Sequence, residues 1–158
     1  MLSLGLSCLL MVFPNSLVER PEGAQIILGK LSSPSTSEMS KATKHYLLKG
    51  QINKPEAEKL KWSSTFLEQV DIEKVYEDYL ASGGAAGNIE AFAKFLTDHA
   101  PINPNWQELI KNFVFKDYGY EITRFEPLSK TEYQAYVKID GREVPYVVVN
   151  ARTGYYHG

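Results

Sequence analysis

Residues 132–150 read EYQAYVKIDGREVPYVVVN. Tyr133, Ala135, Val137 and Ile139 alternate with Gln134, Tyr136 and Lys138, the period of two that marks a half-buried strand. Asp140-Gly141 follows, a pair that readily takes the two positive φ angles of a tight hairpin turn. Val144 to Asn150 then returns as the partner strand, so the sheet is antiparallel. Pro145 has no N–H to give to a ladder, which places it at an edge or among the first residues of its strand.

Outward from this hairpin, Tyr120 to Phe125 reads as another strand, with Pro127 in the turn after it. Upstream the period changes to helical. Asn103-Pro104 is a cap and first-turn proline for a helix whose stripe is Trp106, Leu109, Ile110 and Phe113, and Gly119 ends it. Asn88 caps an earlier helix carrying Ile89, Phe92, Ala93 and Leu96, with Phe95 and His99 alongside and Pro101 as its stop. Asp71 caps a helix with Ile72, Val75, Tyr76, Tyr79 and Leu80 on one face, ended by SGGAAG. The expected fold class is α+β: three helices, then a three- or four-stranded antiparallel β-meander packed on the Trp106 helix.

The carboxy-terminal third, residues 104–156, resembles the PepSY-type domain. The residues that carry the likeness are Tyr136, Val137, Ile139, Asp140, Gly141, Tyr146, Val147, Val148, Val149, Thr153 and Gly154. That resemblance implies an extracytoplasmic interaction or inhibitory module, with no catalytic residues to transfer. Asn150 stands where the family often has Asp, and Arg152 and the Tyr-Tyr-His ending depart from it. A cystatin-like helix-on-sheet fold leaves nearly the same trace.

The chain of 158 residues suits one domain with a real core, and 44% hydrophobic with 23% charged residues is globular composition. A net charge of −2 provides no global field toward nucleic acid or anionic membrane. Charge is nevertheless uneven. Lys41, Lys44, Lys49, Lys54, Lys59 and Lys61 face only Glu56 and Glu58, so residues 41–62 are expected as a basic, partly helical arm: a solvated tail or an intramolecular contact rather than a nucleic-acid site. Residues 63–158 form the expected α+β domain.

Residues 1–40 read as an apolar leader followed by a Ser/Pro linker. Leu2 to Phe13 is too short to span a bilayer as a helix and lacks the basic flank and cleavage site of a secretory signal. Three alternatives stand: a signal or anchor, a segment of the fold, or a true start at Met39. The compartment follows from that choice, cytoplasmic without a signal and secreted or periplasmic with one.

Chemistry is sparsely marked. Cys8 is the single cysteine, so no disulfide framework or thiol metal cage is available. His45, His99 and His157 are scattered without metal-ligand spacing, and His99, near an apolar stripe, is expected as a partly buried structural histidine. SGGAAGN lacks the lysine and hydroxyl of a phosphate loop, so no cofactor is indicated. The remaining candidates are Asn150, Arg152, Tyr155, Tyr156 and His157, with Tyr136 on the sheet. An arginine, phenols and an imidazole at one sheet end suit recognition of a carboxylate or phosphate; packing at a sheet edge is the plainer alternative. The expected function is a non-catalytic binding or regulatory module for a protein or peptide, using the sheet edge or face. The alternative is a small enzyme or anionic-ligand domain built on that cluster.

Overall fold

The computed structural model describes residues 33–158. The expected leader, residues 1–32 of it, lies outside the described residues. Five α-helices precede four antiparallel strands: α1 (Thr36–His45), α2 (Ser64–Glu68), α3 (Ile72–Ala81), α4 (Ile89–His99), α5 (Trp106–Tyr118), then β1 (Ile122–Pro127), β2 (Glu132–Ile139), β3 (Arg142–Asn150) and β4 (Tyr156–His157). The sheet is a meander in the order β1-β2-β3-β4. This is the expected α+β class, with two additional helices.

The first addition corrects the Ser/Pro linker reading where it meets the described residues, 33–40. Ser35 and Glu38 form a capping box: the Ser35 hydroxyl accepts from the Glu38 N–H at 3.2 Å, and the Glu38 carboxylate accepts from the Ser35 N–H at 2.8 Å. Helix α1 starts there and closes in a π-helical turn, Tyr46–Gly50. The segment expected as a basic arm joins the main core. Its Leu47 and Trp62, with Met39 just before it, are buried in the same cluster as Tyr76, Phe92, Leu96, Ile110, Val137 and Val149. Its lysines remain at least partly exposed, while Leu47 and Trp62 anchor it, so no boundary falls at residue 63.

Asp71 and Asn88 cap α3 and α4 as read, each side chain accepting a backbone N–H at 3.0 Å. Helix α5 begins two residues later than expected, because Asn103 accepts from the Asn105 N–H at 2.7 Å and holds Asn103-Pro104 in a turn. Its buried stripe is Trp106, Ile110 and Val114, with Leu109 and Phe113 flanking. Trp106 packs on the inner face of the sheet, its ring 4.8 Å from Phe125 and 4.5 Å from Tyr133. His99 is a correction: it is exposed, stacked on Phe95 at 4.1 Å, with Nδ1 at 2.9 Å from the Phe95 carbonyl.

Simple alternation does not persist through the sheet. Ala135 pairs with Val147 and Tyr136 with Pro145, so Tyr146 is an extra residue in β3. Likewise Ile122 pairs with Val137 and Arg124 with Tyr136, leaving Thr123 extra in β1. These bulges sit on either side of the same stretch of β2. The one in β3 shifts its phase, so Val144 can oppose Val137 while Val147 opposes buried Ala135. Asp140 (φ 50) and Gly141 (φ 79) make the expected turn. Gly154 (φ 67) lies against Phe66, and a Cβ there would overlap that ring. This close approach seats the last loop on α2.

Candidate functional site

The loop after β3 is built by Asn150. Its Oδ1 accepts from the backbone N–H groups of Arg152 at 3.0 Å and Thr153 at 3.1 Å, and its own N–H donates to the Tyr155 carbonyl at 2.8 Å. The Gly154 N–H returns to the Asn150 carbonyl at 2.8 Å. The chain then re-enters the sheet, Tyr156 opposite Val149 and His157 opposite Val148. Because neighbours on a strand alternate in direction, this short segment sends its side chains to different places.

Arg152 caps α4: its Nη1 donates to the Thr97 carbonyl at 3.3 Å and to that of Asp98, where the helix leaves acceptors unsatisfied. Tyr156 donates its hydroxyl to the Asp117 carboxylate on α5. Burial, and then that hydrogen bond, raise its phenol above the ordinary value. Tyr136 lies on the outer face under the Arg124 guanidinium, 3.5 Å from the ring centroid. Arg124 is held in turn by Glu143 at 2.7 Å and Glu126 at 2.8 Å. Of the six candidates, Asn150, Tyr155 and His157 line one groove; Tyr156 borders another with Tyr155 but bonds Asp117, while the Arg152 and Tyr136 side chains engage α4 and Arg124.

Tyr155 and His157 meet the 56–61 segment instead. They line, with Asn150, Glu56, Lys59 and Lys61, a groove of about 290 Å³. Tyr155 also borders an adjoining groove of about 360 Å³, lined by Leu47, Leu48, Lys49, Ile52, Leu60 and Trp62 among others. Lys61 donates to the Tyr155 hydroxyl at 3.0 Å and lies 4.7 Å from its ring centroid. Glu56 receives both Lys59 and Lys61 at 2.8 Å. Hydrogen bonds from Lys59 and then Lys61 hold the Glu56 carboxyl down at about 2. Lys61 is raised, chiefly by Glu56 and next by Tyr155.

A buried side chain shapes this region. Gln51 donates from Nε2 to the carbonyls of Leu47 at 3.0 Å and Leu60 at 2.9 Å, and accepts the Leu60 N–H at 2.8 Å. It ties the end of the π-helical turn to the strand-like run before Trp62 and closes the loop between them. Trp62 is fixed by its indole N–H, which donates to the Thr97 hydroxyl at 2.9 Å. The closed loop leaves Ile52 at 81% exposure and Leu48 at 43%.

In the sequence these lysines read as an arm, and no local pattern singles out Leu48, Ile52 or Gln51. The capping box at Ser35 was the available signal that the arm belongs to the fold; nothing local marks Gln51 as buried. Among the described residues, no helix is long and apolar enough to cross a membrane. No family model, curated protein or solved structure matches the chain.

Proposed function

We propose that the protein is a non-catalytic binding module that receives a segment of a protein partner in the paired grooves around Tyr155. The observation that carries this reading is Ile52, 81% exposed on a loop that Gln51 clasps shut with three hydrogen bonds. An apolar side chain on a pre-ordered loop loses little conformational freedom when covered, the condition for a binding hot spot. Leu48 beside it, and Leu47, Leu60 and Trp62 lining the same groove, extend the apolar surface. The PepSY-type resemblance of β2 and β3, a family of interaction modules, supports the same class of function.

The alternative of a small-anion or catalytic site on Arg152, Tyr156 and His157 lacks comparable support, since each engages a different neighbour. A photo-crosslinking residue at position 52 tests the proposal. The expected result is one discrete adduct, absent when the probe sits at exposed Glu77 on α3, and a purified partner whose affinity for Ile52→Asp falls about tenfold or more. Identical adducts from both positions, or unchanged affinity, overturn it.

A further inference from the structure

Building on that reading, we infer that the partner segment is an acidic peptide carrying an apolar side chain. The groove beside Ile52 presents Lys49, Lys59 and Lys61 against the single carboxylate of Glu56. Among the described residues, Lys49 pairs with no carboxylate. Lys59 spends one N–H on Glu56, and Lys61 spends one on Glu56 and one on Tyr155, so each keeps a donor. The Tyr155 oxygen accepts from Lys61, which leaves its own O–H free to donate. Three cations and a phenol therefore converge as donors with their main local acceptor already taken up, and carboxylates complement such a set.

The apolar lining decides between classes of anionic partner. Leu47, Leu60 and Trp62, with Leu48 and Ile52 at the rim, offer a phosphodiester backbone little, but suit an aliphatic or aromatic side chain set between acidic residues. Glu132 enters where the groove continues toward His157. Acidic residues of the peptide thus belong near Lys49 and Lys59, and the sheet end takes neutral ones.

Three labelled peptides of equal length test this: one rich in Asp and Glu around a single Phe, its Asn/Gln counterpart, and its Lys counterpart. A single-stranded oligonucleotide is the fourth probe. Binding to the full chain is followed by anisotropy and by amide chemical shifts at low and high salt. The expected result is that the acidic peptide binds about tenfold or more tighter than the neutral one, weakens with salt, and shifts Ile52, Leu60 and Tyr155. Lys49→Glu, which breaks no ion pair among the described residues, is expected to weaken it severalfold, and Lys49→Glu with Lys59→Glu further. Equal binding of the neutral peptide, indifference to Lys49→Glu, or tighter binding of the oligonucleotide overturns the inference. If the acidic peptide fails to bind while crosslinking from position 52 still captures a partner, the charge inference falls and the binding module stands.

Discussion

Asn150 accounts for more of the carboxy-terminal loop than the charged and aromatic residues around it. One side-chain oxygen takes two backbone N–H groups, a local turn that Asn and Asp make equally well. What the loop's side chains do is settled by distant partners: Tyr155 meets Lys61 from 94 positions earlier, and Arg152 meets the Thr97 carbonyl from 55 earlier. Residue types in the sequence pointed to a polar-aromatic cluster, but alternation along β4 and these long-range partners divide it. Tyr156 yields a residue-scale prediction. Its folded pKa is raised above the ordinary 10.0, so its contribution to stability is complete below that value and lost as pH rises through the raised one. An ultraviolet tyrosinate titration is expected to show late-ionising phenols, Tyr146 among them, and to lose one of them in Tyr156→Phe. A titration curve unchanged in its alkaline limb would refute the Asp117 contact and the burial behind it.

Among the elements, the loop from Gln51 to Trp62 separates most sharply what is locally encoded from what is not. Helices α3 and α4 announce themselves through Asp71, Asn88 and their apolar stripes, because caps and the 3.6 period are local properties. Helix α1 also carried a local signal, Ser35 with Glu38, but its sequence is polar enough to pass for a linker. The clasp made by Gln51 has no signature, since a buried glutamine is defined only by the carbonyls and N–H that surround it. Replacing it with Ala leaves the Leu60 N–H and the Leu47 and Leu60 carbonyls without this partner. A cost of about 1–3 kcal/mol is expected, with the Leu60 amide exchanging faster in hydrogen-exchange measurements. Exchange at Leu60 matching the wild type would show that the loop closes without the clasp. The bulges at Thr123 and Tyr146 belong to the same class: the strands were legible, whereas their registers depend on pairing across β2.

The described residues, 33–158, are held by one cluster of buried side chains that runs from Met39 to Ala151. A chain starting at Ser63 would lose Met39, Leu47 and Trp62 from that cluster. Removing buried side chains of this size costs about 2–5 kcal/mol each, against a total stability of about 5–15 kcal/mol for an ordinary domain. Such a chain is expected to lose cooperative thermal unfolding and near-ultraviolet circular dichroism. Retention of both would restore the boundary at residue 63. By itself the sequence determined the α+β class, the order of helices before strands, the Asp140-Gly141 hairpin and the caps of α3 and α4, because periodicity, capping and turn chemistry act over a few residues. Tertiary structure alone decided that the basic segment is part of the core, that Tyr136, Arg152, Tyr155 and Tyr156 each engage a different distant neighbour, and that Ile52 stands exposed beside three lysines. Each of those depends on which distant surfaces meet when the apolar faces are buried, and no local pattern records it.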